Sequence, residues 1–367
     1  MTETSAETET SAETETSAEA DPSEEAAGST AGDTGGDSAP GESSAGASES
    51  SASSGSAGEP ELIDIEVPSG TIPIAVMENG PDPELPEGAI ERRIEHEGHD
   101  IFTIEIEGEE PPIVLGHGFP DNLHLHDELY PLLEGRQVIA FDFIGWGRSD
   151  KPLPMSEYEY TTKGQAEELA AVIDGYELDD VTLVVHDQSG PVGLEYLLED
   201  ESKIGEFVFM NGFFGFSPNL SPPKGIEVHD DPALQAVELV VQADPAAIEA
   251  LYRFQMDEFI EKSPDEAEVI DNLWSQFPET RPAFVAINDI LQAEVIERTS
   301  RVDQLANLTV PIDIVNGAID PYLTPELAME FDELLPNSTL TLVEDAGHFV
   351  QIDAPEVVAE AVLTRNP

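Results

Sequence analysis

The sequence predicts an α/β fold with a mostly parallel central sheet, helices on both faces of the sheet, and an inserted helical block. Three observations support this prediction. Short apolar strands alternate with amphipathic helices over residues 89–213. Only helical patterns occur between residues 214 and 308. The alternation resumes over residues 309–367, which indicates that both parts contribute to one sheet.

The chain is acidic along its whole length. Of its 367 residues, 78 are Asp or Glu and 14 are Lys or Arg. The first 60 residues hold 14 of the acidic residues and no basic one, so the rest still has a net charge of −50. At about 1 M salt the Debye length is about 3 Å, and such self-repulsion is largely screened. The composition therefore predicts a halophilic protein that works in a very salty cytoplasm.

The same charge excludes several classes of partner. Nucleic acids and anionic membranes are bound through basic surfaces, so we expect neither as a partner. No run of about 20 apolar residues predicts a membrane helix, and the first residues lack the pattern of a signal peptide. The chain contains no cysteine, so no disulfide pattern indicates secretion. We expect a cytoplasmic protein whose partners are a small organic substrate and water.

Residues 1–58 have the composition of a disordered acidic tail. TETSAE occurs three times over residues 2–19, and Ser, Thr, Ala, Gly and Glu dominate the remainder. Such a segment cannot bury enough apolar surface to offset the entropy of ordering. Residues 59–88 contain LIDIEV and TIPIAV, which have strand character, before PDPELPEG breaks the pattern. We interpret residues 59–88 as an extended arm that lies on the domain.

The first part of the predicted core, residues 89–213, contains most of the strands. IERRIEHEGHDIFTIEIEG predicts a hairpin, and PPIVL predicts a buried strand. A strand over residues 137–141 and the helix QAEELAAVIDGY follow, and then VTLVV, which suits a strand buried on both faces. The short turn HDQSG leads into a helix, and EFVFMNGF predicts another strand. A strand that turns so sharply into a helix presents one side chain at the apex, here Asp187.

The inserted block, residues 214–308, contains four helical segments. They are PALQAVELVV, AAIEALYRFQMDEFI, DEAEVIDNLWSQF and AFVAINDILQAEVIERTS. The second part of the core, residues 309–367, adds the strands VPIDIVNGAID and STLTLVED and the helices TPELAMEFDELL and PEVVAEAVL. Ligands bind at the carboxyl ends of parallel strands. We therefore expect the block to be a cap that selects the substrate and excludes water.

Four motifs give the chain its resemblance to a known superfamily. They are LGHGFP at 115–120, DFIGWGRSDKP at 142–152, VVHDQSG at 184–190, and GAIDPYLTP at 317–325 with DAGHFVQIDAP at 345–355. Over about residues 89–367 the chain resembles the α/β-hydrolases, and within them the aspartate-nucleophile branch. Asp187 at the apex puts Ser189 and Gly190 where small residues are needed. A serine hydrolase with Ser189 as nucleophile fits less well, because Pro191 would then occupy such a position.

An aspartate nucleophile predicts a particular reaction. A carboxylate that attacks a carbon bearing a halide, or a strained epoxide, forms a stable alkyl-enzyme ester. The resemblance implies that His348 then activates a water molecule and that Asp320 orients His348. Asp345 and Asp353 compete for the orienting role, although loop-capping or surface positions are more typical of them. The predicted mechanism uses no cofactor and no metal.

The sequence leaves two types of leaving group open, because the chain resembles two families that differ in this respect. DFIGWGRSDKP and AGHFVQIDAP are most similar to haloalkane dehalogenases, whereas HGFP is similar to epoxide hydrolases. Both families usually have Trp after the nucleophile, and in dehalogenases it holds the halide; this chain has Gln188 there.

The resemblance also implies the groups that surround the reacting atoms. The backbone N–H groups of Phe119 and Gln188 would form an oxyanion hole. Gln188, Tyr252 and Trp274 are candidate contacts for the leaving group or substrate, although both aromatic residues also suit core packing. We expect a haloalkane dehalogenase-like hydrolase. The alternative is an epoxide hydrolase, and a more distant one is a ligand-binding relative that does not dehalogenate.

Overall fold

A computed structural model describes residues 59–153, 158–222 and 235–364 of the chain. The predicted tail, residues 1–58, and the start of the first predicted helix of the insertion lie outside these ranges. Within them, no helix is both long and apolar enough to cross a membrane. The fold can therefore be followed from the arm to the last helix.

The central sheet has eight strands in the order β10-β9-β8-β7-β5-β6-β4-β3. The strands from β5 to β10 run parallel, and β4 and β3 continue the sheet in antiparallel pairing. The predicted fold class is thus confirmed. The bounds are β3 Ile90–His96, β4 His99–Ile106, β5 Glu109–Leu115, β6 Arg136–Asp142, β7 Val181–Asp187, β8 Ile204–Gly212, β9 Ile312–Gly317 and β10 Ser338–Val343.

Both faces of the sheet are covered by apolar side chains. In β7, Leu183 and Val185 join one core cluster, whereas Val184, which points to the opposite face, joins the other. This burial on both sides explains why the strand is a continuous apolar run rather than an alternating one. The flanking helices are α1 Thr162–Gly175, α2 Ser189–Glu199, α6 Pro325–Leu334, α7 Val350–Asp353 and α8 Pro355–Leu363.

The insertion between β8 and β9 is helical, as its periodicity predicts. It contains α3 Gln235–Gln242, α4 Pro245–Asp257 and α5 Glu266–Thr299, followed by a 3-10 helix, Val302–Asn307. The sequence predicts two helices where the structure has the single helix α5, which continues through Pro278 and Pro282. The fixed φ of proline is close to the helical value, but each proline removes one N–H donor from the helix. The packing of buried side chains of the helix, such as Leu273 and Phe277, offsets this cost.

The arm forms a separate two-stranded hairpin, β1 Leu62–Val67 and β2 Gly70–Ala75. It does not join the central sheet, and it packs on the long helix α5. Arg281 Nη1 donates to the carbonyl of Ala75 at 2.7 Å, and the N–H of Gly80 donates to the carbonyl of Ser275 at 2.7 Å. The arm therefore binds the insertion.

Candidate active site

Asp187 lies at the turn between β7 and α2 and has a left-handed backbone, with φ of 50°. Such a conformation is strained in a residue with a side chain and is typical of a nucleophile elbow. The turn leaves little room for its neighbours: a Cβ atom on Gly190 would lie 2.8 Å from the ring of Phe209. The small residue after Ser189 is therefore a steric requirement of the turn.

Two backbone N–H groups point at the carboxylate of Asp187. The N–H of Phe119, in the loop after β5, donates to Asp187 Oδ2 at 3.0 Å, and the N–H of Gln188 also hydrogen-bonds to the carboxylate. Burial raises the pKa of Asp187, and these two donors oppose the rise. The loop approaches closely because residue 118 is glycine: a Cβ there would lie 3.0 Å from the Cβ of Asp187.

His348 and Asp320 complete a line of side chains that begins at Asp187. His348 Nδ1 lies 2.8 Å from Asp320 Oδ2, and His348 Nε2 lies 3.9 Å from Asp187 Oδ1. Asp320 is held in turn by Asn211 Nδ2 at 2.6 Å. Burial lowers the pKa of His348, but the nearby carboxylates, Asp320 first, outweigh it and raise the pKa to about 8. The pKa of Asp320 is lowered because the imidazolium and hydrogen bonds outweigh burial.

The two competing aspartates occupy other positions. The carboxylate of Asp353 accepts backbone N–H groups from Gly347 at 2.8 Å, Glu261 at 3.0 Å and Lys262 at 3.1 Å. Asp345 is exposed and pairs with Lys262 at 2.7 Å. Asp353 therefore ties the loop that precedes His348 to the insertion, and the carboxylate that contacts the imidazole Nδ1 is that of Asp320.

Ser189 does not face the site. Its single hydroxyl proton lies between the carbonyl oxygens of His186 at 2.8 Å and Gly116 at 3.1 Å, and the hydroxyl oxygen accepts the N–H of His186 at 2.8 Å. The side chain is buried between β5 and β7. These contacts describe a structural hydroxyl that closes the turn.

A mostly apolar cavity of about 180 Å³ opens above Asp187 and His348. Its wall includes Phe119 and Gln188 from the core loops. Further lining residues, from several loops and from the insertion, are Phe213, Phe259, Leu291, Gln292, Val295, Tyr322 and Leu323. The apolar side chains of this set favour an uncharged substrate.

The three candidate contact residues differ in their placement. Gln188 lines the cavity, whereas Tyr252 and Trp274 do not. Tyr252 packs on Trp274 and Phe277, with ring centroids 5.2 Å and 4.5 Å away. Contact between these two aromatic residues and a substrate remains a prediction.

Three residues of the site were not singled out from the sequence. Gln292 and Tyr322 both line the cavity. No local sequence pattern marks Gln292. Tyr322 follows Asp320 by two residues, so the motif that contains Asp320 could have suggested it. Asp121 is 2% exposed, and neither of its carboxylate oxygens has a hydrogen-bond partner within the described residues. Burial, followed by the charge of Asp187, raises the pKa of Asp121 to about 8.

Some described residues could hold a metal, but they lie elsewhere. The ligand atoms of His96, Glu97 and Glu167 lie within 4.8 Å of one another, at the β3–β4 turn and on α1. None of the three lines the cavity. An elbow residue beneath a cavity, at the carboxyl edge of this sheet, is the arrangement by which hydrolases of this architecture act on small substrates.

The chain belongs to the alpha/beta hydrolase fold family, whose family model matches residues 111–355. Over 115 residues it is 36% identical to a haloalkane dehalogenase from Mycolicibacterium paratuberculosis, a match that spans 31% of this chain and 38% of that relative. An alpha/beta hydrolase fold protein from Burkholderia ambifaria has a similar structure, with a TM-score of 0.62 and 26% identity over 74% of this chain and 96% of its own.

A second solved structure is similar in fold. The haloalkane dehalogenase DatA from Agrobacterium tumefaciens C58 gives a TM-score of 0.61 and 23% identity, covering 75% of this chain and 95% of DatA. At this identity the likeness concerns the fold alone. The specific reaction must therefore be argued from the site.

Proposed function

We propose that the protein hydrolyses carbon–halogen bonds through an alkyl-enzyme ester on Asp187, in the manner of a haloalkane dehalogenase. One observation supports this most strongly: the elbow residue is a carboxylate, held by two backbone N–H groups, with the imidazole of His348 3.9 Å away. The 36% identity to a haloalkane dehalogenase over part of the chain agrees with it.

In the first step, a carboxylate oxygen of Asp187 attacks the carbon that bears the halogen. The new C–O bond forms as the carbon–halogen bond breaks, and the halide leaves with the bonding electrons. The N–H groups of Phe119 and Gln188 hold the carboxylate in place for this attack. The apolar wall of the cavity supports an uncharged haloalkane as the substrate.

In the second step, His348 removes a proton from a water molecule, which attacks the ester carbonyl carbon of Asp187. The two N–H groups stabilise the oxyanion, and the alcohol leaves with a proton from the imidazolium. Asp320 stabilises the imidazolium through its 2.8 Å contact with Nδ1. The helical insertion, as a cap over the cavity, would exclude other water from the first step.

One observation favours the alternative, an epoxide hydrolase. Tyr322 lines the cavity, and its ring centroid lies 6.4 Å from that of His348. Its hydroxyl donates to Glu258 at 3.1 Å and would have to turn to reach a substrate. A phenol in this place could donate a proton to an opening epoxide oxygen, whereas a departing halide needs no proton.

A substrate panel separates the two reactions. Purified protein in molar salt is assayed for halide release from short bromo- and chloroalkanes and for diol formation from short epoxides. We expect halide release that is lost in Asp187→Asn. Diol formation without halide release would support the epoxide hydrolase, and the absence of both activities from a folded protein would contradict the proposed mechanism.

A further inference from the structure

The side chain of Gln188 is held by a buried hydrogen-bond network that joins the elbow to the insertion. Gln188 Nε2 donates to Thr162 Oγ1 at 3.3 Å, and Arg298 Nη1 donates to the same oxygen at 2.7 Å. Thr162 in turn donates to Glu294 Oε2 at 2.6 Å. Thr162 begins α1, whereas Glu294 and Arg298 lie on α5. Gln188, Thr162 and Arg298 are 4%, 2% and 1% exposed.

Counting donors and acceptors determines the orientation of the Gln188 amide. A hydroxyl has one proton and two lone pairs. The hydroxyl proton of Thr162 is donated to Glu294. One lone pair of the hydroxyl oxygen accepts an N–H of the Arg298 guanidinium, which can only donate. The remaining lone pair requires a donor, so the NH2 group of Gln188, not its carbonyl oxygen, must face Thr162. A rotated amide would place two acceptors against each other.

The network also places a positive charge behind the cavity wall. The guanidinium carbon of Arg298 lies 5.9 Å from the ring centroid of Phe213, which lines the cavity. The Arg298 side chain is 2% exposed and that of Glu294, 3.5 Å away, is 21% exposed. Arg298 therefore lies behind the Phe213 wall as the buried member of an ion pair.

We propose that Thr162, Glu294 and Arg298 are positioning residues that direct the second N–H of Gln188 towards the departing halide. One hydrogen of the amide is taken by Thr162, which leaves the other for a ligand in the cavity. Gln188 would thereby do the work of the tryptophan that dehalogenases usually have after the nucleophile. This inference rests on the proposed function, because it concerns the leaving group of that reaction.

The test measures the rate at which the alkyl ester forms on the enzyme. In a His348→Phe background the ester should accumulate, and intact mass follows it with a bromoalkane and the matching chloroalkane. Chloride is the poorer leaving group and depends more on stabilisation in the transition state. We expect Thr162→Val to slow ester formation about tenfold with the chloroalkane and about threefold with the bromoalkane. Thr162→Ser, which keeps the hydroxyl, should restore both rates.

Thr280→Val is the matched control. Thr280 is also a buried threonine, 2% exposed, and its hydroxyl donates to the Gln276 carbonyl within α5. This control should keep the parent rates. Gln188→Leu provides a second variant in case Thr162→Val does not fold, and it should show the same preferential loss with the chloroalkane.

The outcomes separate the two proposals. If the His348→Phe parent forms no ester with either substrate, the proposed function fails. If the parent forms the ester but Thr162→Val and Gln188→Leu leave the ratio of chloroalkane to bromoalkane rates unchanged, the proposed function stands and the positioning network is refuted.

Discussion

At the scale of single residues, the elbow separates two side chains that are close in sequence. Asp187 projects towards the cavity, whereas Ser189 turns back into the sheet and bonds to Gly116 and His186. The left-handed backbone of Asp187 causes this separation, because it reverses the chain direction within one residue. This geometry supports the proposed chemistry on a carboxylate rather than on a hydroxyl.

Ser189→Ala tests this separation. Removing a buried hydroxyl that makes three hydrogen bonds should lower the free energy of unfolding by about 1–3 kcal/mol. Turnover should stay within about threefold of the parent, because the hydroxyl does not reach the cavity. Chemical denaturation and halide release measure the two effects. Loss of turnover in a variant that remains folded would instead support a serine nucleophile.

The pKa of His348 predicts the pH dependence of ester hydrolysis. An imidazolium cannot accept a proton from water, so the hydrolysis rate should rise about tenfold per pH unit below its pKa and level off above it. That pKa is about 8 while Asp187 is ionised, and it should be lower in the ester, because Asp187 then no longer carries the charge that helps to raise it. Asp320 is the strongest cause of the raised pKa, and Asp320→Asn should therefore move the midpoint down. Single-turnover rates from pH 6 to 10 test this.

Asp121 provides the control for that profile, because its pKa is also about 8. Asp121→Asn should keep a rise with pH, shifted slightly down, since Asp121 is only a minor contributor to the pKa of His348. A profile that disappears in Asp121→Asn would assign the titration to Asp121. A rate that falls with rising pH would contradict His348 as the base.

At the scale of elements, a buried arginine joins the arm to the insertion. Arg281 is 0% exposed, and it donates to the carbonyl of Ala75 in β2 and to the carbonyl of Gln242 at the end of α3, at 2.7 Å and 2.5 Å. Three elements therefore depend on one guanidinium. The arm and α3 are thus both tied to α5 through Arg281.

Replacing this guanidinium should be costly. Arg281→Leu leaves two buried carbonyl groups without donors, and we expect the free energy of unfolding to fall by about 2–4 kcal/mol. Arg253→Leu is the matched control: Arg253 lies on α4, its side chain is 38% exposed, and it pairs with the carboxylates of Glu249 and Asp271. Its loss should cost less than about 1 kcal/mol. Equal effects in denaturation experiments would contradict the structural role of Arg281.

The elements differ in how well the sequence predicts them. The apolar run of β7 and its sharp turn are local patterns, so the elbow could be predicted. The continuity of α5 could not, because Pro278 and Pro282 resemble helix ends and only tertiary packing overrides them. The network around Gln188 could not be predicted either: Thr162 lies 26 residues from Gln188 and 136 from Arg298 in sequence, and no local pattern joins them.

At the scale of the whole molecule, the sheet order brings distant segments to one edge. Phe119 follows β5, Asp187 ends β7, Asp320 follows β9 and His348 follows β10. These strands are parallel, so the loops after them meet at the same end of the sheet. That the three candidate catalytic residues lie at one edge of the sheet could be predicted for this reason. The shape of the cavity depends on side chains of the insertion and could not.

The charge of the whole molecule predicts a requirement for salt. With 78 acidic and 14 basic residues, repulsion should destabilise the fold at 0.1 M NaCl and be largely screened at 2 M. We expect the thermal midpoint to rise by at least about 5 °C between these concentrations. Sucrose at matched osmotic strength should reproduce less than half of the shift. A midpoint that is highest at low salt would contradict the halophilic interpretation.

The proposed function depends on the covalent attachment of the substrate to Asp187. Intact mass of the His348→Phe variant after incubation with 1-bromobutane in molar salt tests it most directly, with peptide mapping to locate the modification. We expect one added butyl group, located on Asp187, and its absence in the Asp187→Asn, His348→Phe double variant. An unmodified protein that still releases bromide, or a butyl group located on another residue, would contradict it.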